Sequence, residues 1–369
     1  MRRCRLARFV FIAGLTVPAH PLAAQVTGAD AAERGFQALQ RGDAETAATM
    51  FRVALTARPR DPMLLLGAGV AAHLQGRERD ASSALQQALQ LEPRLTAASA
   101  LLGEIAHAEG DVDRAIATYE AALKHAPGNM EMRSRLEMWR REAGVHSGLE
   151  SLKDGRFSIM FQGRVEDTLA FRARSVLDTG FSAIGRALGA YPSSSINVIL
   201  YTDQQFRDIT GAPEWSGGGF DGQIRLPVQG AAQNLALFDR MLMHELTHAM
   251  VHGLAPRNVP SWLHEGLAMY FEGQDVSAVA RRLSGLRSIF PLSQLQGSFM
   301  RLTAPQAALA YVESAVAARV LIDRLGTQGI GIVLQALDGG QTLEQAIEGH
   351  GLTMADLDAS VARRMGVTR

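Results

Sequence analysis

Residues 244–248 read HELTH and residues 260–273 read PSWLHEGLAMYFEG, and these two stretches decide the fold of the C-terminal half of the chain. On a helix, residues four positions apart lie on one face, about 6 Å apart along the axis. The imidazoles of His244 and His248 can therefore converge on one ion, at the distance of about 2.1 Å that suits zinc. Glu245 adjoins the same face and can reach the attacking water without ligating the ion. The first stretch thus predicts a metal-binding helix with Glu245 as general base.

The second stretch supplies a candidate for the third ligand. A zinc ion in a hydrolytic site has three protein ligands and one open position. Residues 261–273 are predicted to form a helix, and Glu265 lies in its second turn, 17 residues after His248. A short antiparallel helix-loop-helix would bring its carboxylate beside the two histidines. His252, one turn further along the first helix, points past the ion and is expected to be structural or solvent-facing, and His264 is expected to lie at the surface.

The two stretches together resemble the peptidase MA-like gluzincins, whose second motif has the form P-x-W-L-x-E-G. The resemblance covers about residues 157–357. It implies a thermolysin-like zincin α/β domain that holds one Zn²⁺ per chain, with Glu265 as the third ligand. The implied reaction is the hydrolysis of peptide bonds, by an endopeptidase or an aminopeptidase-like enzyme. Tyr311 lies where the family carries a tyrosine that can stabilise the oxyanion, but burial as a packing residue is an equal alternative.

Two further features bear on this resemblance. Many gluzincins carry a carboxylate four residues after the glutamate ligand, where it orients a zinc histidine. Here that position is Met269, and Glu272, about two turns along the same face, is the candidate substitute. Residues 215–227 read WSGGGFDGQIRLP and resemble the edge strand that lines the family's substrate cleft. A strand over residues 220–226 can hold an extended peptide by main-chain hydrogen bonds, and a plain hairpin is the alternative.

A different pattern, with a period of 34 residues, fills the N-terminal part of the chain. It links six columns: Gly42, Gly76 and Gly110; Ala47, Ala81 and Ala115; Phe51, Leu85 and Tyr119; Ala54, Ala88 and Ala122; Leu55, Leu89 and Leu123; and Pro59, Pro93 and Pro127. This pattern resembles the tetratricopeptide repeat, a pair of helices joined at a small residue. Residues 30–143 are therefore predicted to form an all-α solenoid of three repeats with a capping helix at residues 130–142. We expect its groove to dock a protein partner or substrate, the alternative being mere support for the second domain.

The remaining pattern sets the domain boundaries. Residues 144–155 are polar and lack periodicity, which predicts a linker before a peptidase domain at residues 156–369. Strand and helix patterns alternate after this point, so we expect an α+β protein overall. The expected elements are strands at residues 157–162 and 196–201, a helix at residues 167–188, a helix capped by Asp203 that runs to Thr210, and a helix capped by Asn234 that ends at Gly253.

The bulk composition narrows the range of partners. Lys+Arg and Asp+Glu both number 37, so there is no net charge that would favour nucleic acid. Residues 1–24 have a basic start, a short apolar core and small residues at the end, which is typical of a cleaved signal peptide. The single cysteine, Cys4, would be removed with it. These features predict a bacterial periplasmic or secreted protein without membrane insertion after cleavage.

Other functions also remain open from the sequence. One alternative is a non-catalytic periplasmic scaffold that keeps a structural zinc ion and a tetratricopeptide interaction module. Met269 and the lack of a firmly matched oxyanion donor favour it, whereas Glu245 speaks against it because a structural site needs no base. A zinc hydrolase that acts on something other than peptides is a further alternative.

Overall fold

A computed structural model describes residues 28–211, 218–228, 230–231, 233–256, 258–273, 289–299 and 302–367. The predicted signal peptide at residues 1–24 lies outside the described residues, as do Trp215, Ser216 and Gly217 of the quoted edge segment. In the part that is described, a helical N-terminal domain is followed by a domain that combines helices with a sheet. The predicted α+β class, with an all-α domain first, is therefore confirmed.

The N-terminal domain consists of helix pairs that follow the 34-residue period. Its helices are α1 Gly28–Gln40, α2 Ala44–Ala57, α3 Pro62–Leu74, α4 Glu78–Leu91, α5 Thr96–Ala108, α6 Val112–His125 and α7 Met130–His146. The turn glycines Gly42, Gly76 and Gly110 all have positive φ, a backbone conformation that other residues rarely adopt. The column of large side chains at Phe51, Leu85 and Tyr119 packs between the helices, and we call these three the seam residues. Phe51 and Leu85 are fully buried, as the period predicts.

The structure adds a seventh column that the sequence analysis did not include. Gly35, Gly69 and Gly103 are also 34 residues apart and face the seam residues of the second helix in each pair. A Cβ atom at Gly103 would lie 2.4 Å from the ring of Tyr119, so no larger residue fits there. Glycine at this column therefore lets the two helices of a repeat pack around one large side chain.

The predicted linker at residues 144–155 is wrong in part, because it contains regular structure. Helix α7 continues to His146, and strand β1 occupies Glu150–Lys153. This strand pairs antiparallel with β2, Phe157–Phe161, and places Leu152 opposite Ile159. Only one of its four side chains is even partly buried. An exposed edge strand has no apolar alternation, so the sequence pattern did not indicate it.

A mixed sheet forms the centre of the second domain. Among the described residues its strands are β1, β2, β3 Ile196–Tyr201, β4 Gly219–Phe220 and β5 Ile224–Pro227, in the order β1-β2-β3-β5-β4. The three central strands are parallel, and the two edge strands are antiparallel to their neighbours. Residues 219–227 therefore form a hairpin, which was the alternative to a single strand over residues 220–226, because Asp221 to Gln223 form a turn between β4 and β5.

Helices cover both faces of this sheet. They are α8 Gly163–Leu188, α9 Asp203–Thr210, α10 Leu235–Leu254, α11 Ser261–Phe271, α12 Ala304–Asp338, α13 Leu343–Glu348 and α14 Met354–Arg364. Thr202, not Asp203, caps α9, because Thr202 and Gln205 form a reciprocal capping box. Asn234 caps α10 as predicted, but that helix runs to Leu254, one residue beyond the predicted end.

Helix α12 forms much of the core of this domain. By length and composition it could cross a membrane, but 50% of its most apolar window is buried inside the protein. Gly326, with φ 71° and ψ 166°, also breaks it into two helical segments. These features are those of a core helix. The core that it shares with α8, α10 and α11 lies on the side of the sheet where the metal motifs are found.

Candidate metal centre

The two histidines of the first motif lie on one face of α10. The helix begins at Asn234, whose side chain accepts a hydrogen bond from the backbone N–H of Leu237. The apolar side of α10 is buried in the core, with Leu242 and Leu246 fully enclosed. The Nε2 atoms of His244 and His248 are 3.2 Å apart. The i, i+4 spacing thus brings both imidazoles to one point, as predicted.

Helix α11 brings the carboxylate of Glu265 to the same point. The Glu265 Oε2 atom lies 3.4 Å from His244 Nε2 and 3.4 Å from His248 Nε2. Trp262 is fully buried and anchors the start of α11 in the core. Gly266 faces α12 so closely that a Cβ atom there would be 2.2 Å from the carbonyl oxygen of Ser314. The tryptophan and glycine of the second motif thus fix the position of the glutamate between them.

These three groups fit a zinc ion. Donors placed tetrahedrally around an ion at about 2.0–2.1 Å are about 3.3–3.4 Å apart. The ligand triangle, defined as His244 Nε2, His248 Nε2 and Glu265 Oε2, has edges of 3.2, 3.4 and 3.4 Å. Among the described residues, the buried Glu265 Oε2 atom has no hydrogen-bond partner. Two imidazoles and a carboxylate suit zinc better than magnesium or calcium, which prefer oxygen ligands only.

The charge state of Glu265 depends on the two histidines beside it. Burial alone would raise the pKa of Glu265, but the imidazoles of His244 and His248, both 3.4 Å from its carboxylate, hold it well below its usual range. The glutamate is therefore an anion in a largely apolar surrounding, which is the form that ligates a cation.

Glu245 is separate from the triangle and has a different environment. Its side chain is 7% exposed, and its Oε2 atom has no hydrogen-bond partner in the described part of the chain. The backbone before β4 comes so close that a Cβ atom on Gly218 would lie 3.0 Å from Glu245 Oε1. Burial raises the pKa of Glu245. A buried carboxylate with one oxygen that has no hydrogen-bond partner in the described part of the chain, beside a candidate metal site, has the properties of a general base.

Glu272 occupies the supporting position that Met269 leaves vacant. Its Oε2 atom is 3.0 Å from Nδ1 of His244, so the imidazole can donate to the carboxylate while Nε2 faces the triangle. Met269 is 7% exposed and packs in the core. The carboxylate that faces His244 is therefore seven positions after Glu265, whereas the family pattern places it four positions after the glutamate. The shift is possible because Glu272 caps α11, where its side chain can turn back.

The prediction that His264 is a surface residue is wrong. Its Nδ1 atom lies 3.4 Å from Nδ1 of His248, and the two ring centroids are 5.6 Å apart. Burial and the neighbouring His248 lower the pKa of His264 to about 3. A neutral His264 can accept a hydrogen bond from His248. The prediction of a surface position used only the angle of His264 around its own helix. It took no account of α10, which packs against that side of α11.

The other candidates lie at the margin of the site. His252 is exposed, its ring centroid lies 5.4 Å from that of Phe220, and it does not belong to the group of possible metal-binding side chains found among the described residues. Tyr311 is half-buried on α12, edge-on to Phe299 at 5.4 Å between ring centroids. Burial raises the pKa of Tyr311, and the negative charges of Glu265 and Glu245 raise it further, which places its hydroxyl in the field of both carboxylates.

Comparison with known families agrees with this geometry. A model of the peptidase MA superfamily matches residues 176–363, which is just over half of the chain and includes both motifs. The chain belongs to the peptidase MA superfamily. A tetratricopeptide repeat model matches residues 37–80 and 75–129, which confirms the predicted repeats. A search of curated proteins finds no match. This peptidase MA protein therefore combines a protease-like hydrolase domain with a module of the kind that binds proteins.

The contact between Glu272 and His244 gives a first test. Glu272→Ala removes the acceptor that holds the imidazole, so the affinity for zinc should fall by about 10- to 100-fold. Competition with a chelator of known affinity measures this change. Glu348→Ala, which removes an exposed carboxylate at the end of α13, is the matched control and should bind zinc like the parent. Equal affinity in the Glu272 variant would show that this carboxylate does not support the site.

Proposed function

We propose that this protein is a zinc peptidase of the gluzincin type, with His244, His248 and Glu265 as ligands and Glu245 as general base. The observation that carries the proposal is the ligand triangle with its tetrahedral spacing, next to the buried Glu245, whose Oε2 atom has no hydrogen-bond partner among the described residues. A site built only for structure would have no use for that glutamate.

The side chains around the triangle support a hydrolytic reaction. A zinc ion held there would polarise the scissile carbonyl and lower the pKa of a water molecule. Burial raises the pKa of Glu245, which is the direction that makes a carboxylate a stronger general base. Its carboxylate takes the proton of the attacking water and then passes it to the leaving amine. Glu272 and His264 hold the two histidine rings in place during these steps.

The sheet edge beside the site supports a peptide as substrate. Strand β4 is the last strand in the order and is followed by no further neighbour in the described residues. Gly218, which leads into it, contacts Glu245. A peptide that adds to this edge as an extra strand is held by main-chain hydrogen bonds and passes in front of the base. Small hydrolysable molecules would have no need of such an edge.

The N-terminal part of the chain supports a role outside the cytoplasm and in partner binding. Residues 1–24 have the pattern of a cleaved export signal, so we place the protein in the bacterial periplasm or outside the cell. The tetratricopeptide groove would dock the protein substrate or a protein partner.

The alternative is a non-catalytic scaffold with a structural zinc ion. Structural zinc sites normally have four protein ligands, whereas the described residues offer a group of three. Met269 stands where many gluzincins carry the carboxylate that supports a zinc histidine. Its presence no longer favours a scaffold, because Glu272 contacts His244 instead. The enzyme is therefore the better account.

Exchange of Glu245 for glutamine separates the two accounts. Glu245→Gln keeps the size and shape of the side chain, so zinc content and Tm should barely change. The amide cannot accept a proton, so kcat on an unfolded protein should fall by about 10²–10⁴-fold. His244→Ala should instead lose zinc and activity together. If Glu245→Gln cleaves as fast as the parent, Glu245 is not the base, and if the zinc-loaded parent cleaves neither unfolded protein nor a peptide library, the scaffold is the better account.

Tyr311 is proposed to stabilise the oxyanion that forms on the scissile carbonyl. Tyr311→Phe removes only the hydroxyl, so zinc content should stay the same while kcat falls by about 10²–10³-fold, as for other oxyanion donors. Tyr191→Phe, at a tyrosine that is 50% exposed, is the control. An unchanged kcat in the Tyr311 variant would assign this residue to packing.

A further inference from the structure

The hairpin formed by β4 and β5, residues 219–227, lies next to the base, and its turn is held by the repeat domain. A Cβ atom on Gly222 in the turn would lie 2.8 Å from the carbonyl oxygen of Ala108, the last residue of α5. Gln223 is fully buried, and its Nε2 donates a hydrogen bond to the carbonyl oxygen of His107 at 3.1 Å. The turn of the hairpin therefore packs directly on the third repeat.

A buried ion pair joins the hairpin to the capping helix α7. Arg225 on β5 and Glu142 on α7 have side chains that are 3% and 4% exposed, and Arg225 Nη1 is 2.8 Å from Glu142 Oε1. The two atoms are close but not aligned as a hydrogen bond, so the contact is mainly electrostatic. Arg225 also donates to Asp221 in the turn and, at 2.8 Å, to the hydroxyl of Tyr201 on β3.

The glutamate of this pair is fixed from the other side by the repeats. His107 on α5 contacts Glu142 Oε2 through its Nε2 atom at 2.7 Å. Burial alone would raise the pKa of Glu142, but the contact with His107 and the charge of Arg225 lower it to about 2. The carboxylate is therefore ionised at any pH at which the protein works. Because a buried ion pair adds little to net stability, its main effect is to fix the position of the groups that it joins.

A second contact of the repeat domain lies near the end of α10, the helix that carries His244 and His248. The turn glycine of the second repeat, Gly76, is so close to Pro256 that a Cβ atom there would lie 2.3 Å from the proline ring. Pro256 lies two residues after the end of α10, which carries the two histidines. The repeat domain thus touches both elements that border the site, namely the hairpin and the end of α10.

We propose that Glu142 and Arg225 are positioning residues that hold the hairpin at its working distance from Glu245. The repeat domain is then a structural part of the peptidase site as well as a docking module. The catalytic meaning of this role rests on the proposed peptidase function, whereas the anchoring of the hairpin does not. The chain of contacts runs from the repeats through Glu142 and Arg225 to the hairpin, and from Gly218 to Glu245.

Glu142→Gln tests the anchor in the full-length mature protein. The amide keeps the shape of the side chain but removes the buried counter-charge of Arg225 and leaves it only Asp221, whose side chain is 50% exposed. Hydrogen–deuterium exchange should become at least tenfold faster in peptides that cover residues 218–227, with zinc content unchanged. Glu120→Gln is the matched control, because Glu120 pairs with Arg140 at 2.7 Å on the exposed surface of the same domain. Unchanged exchange in the Glu142 variant would overturn the proposal, whether or not the protein cleaves peptides.

The double variant Glu142→Gln, Arg225→Gln keeps the test decisive if the single variant does not fold. It buries no unpaired charge, so Tm should recover toward that of the parent. The hairpin remains unanchored in the double variant, so its hydrogen–deuterium exchange should stay fast. KM for an unfolded protein should be about tenfold higher than that of the parent in both variants, with a smaller change in kcat. Recovery of exchange and KM together with Tm would mean that the pair acts only through overall stability. A parent without any peptidase activity would refute the proposed function, while the exchange data would still decide the anchor.

Discussion

The close packing of α11 against α12 is the contact on which the site depends. Gly266 leaves no room for a Cβ atom, which would be 2.2 Å from the Ser314 carbonyl oxygen. The preceding residue, Glu265, is thereby held 3.4 Å from the Nε2 atom of each histidine on α10. Because ligand spacing around a metal tolerates only a few tenths of an ångström, a small outward shift of α11 would open the ligand triangle. The buried tryptophan and the closely packed glycine of the second motif thus together fix the position of the glutamate.

Burial determines the pKa values of the two carboxylates at this site. A carboxylate next to an apolar core is costly unless a cation or hydrogen-bond donors compensate it. Glu265 on α11 lies 3.4 Å from the Nε2 atoms of His244 and His248, and these imidazoles hold its pKa low. Burial instead raises the pKa of Glu245 on α10. Two buried glutamates on neighbouring helices thus have opposite pKa shifts, and the difference comes from the groups that face each of them.

Much of this arrangement could be predicted from the sequence, for reasons that are local. The i, i+4 spacing in HELTH places two imidazoles on one face of a helix, and the 34-residue period predicts the repeats. Contacts between elements distant in sequence could not be predicted in the same way. His264 turned out to contact His248 because α10 packs on that side of α11, and β1 was missed because an exposed edge strand has no apolar alternation. The pair formed by Glu142 and Arg225 had no signal at all, since a charged residue in a capping helix is normally at the surface.

X-ray absorption at the zinc K-edge of the purified mature protein tests the central claim most directly, because it reports both the metal and its ligands. The account predicts one zinc ion per chain with two imidazoles, oxygen ligands from Glu265 and solvent, and no change in the imidazole number when Glu245 is replaced by glutamine. A third imidazole in place of the carboxylate oxygen would mean that Glu265 is not the third ligand. A protein that binds no zinc, or binds it with four protein ligands, would contradict the account of an open hydrolytic site.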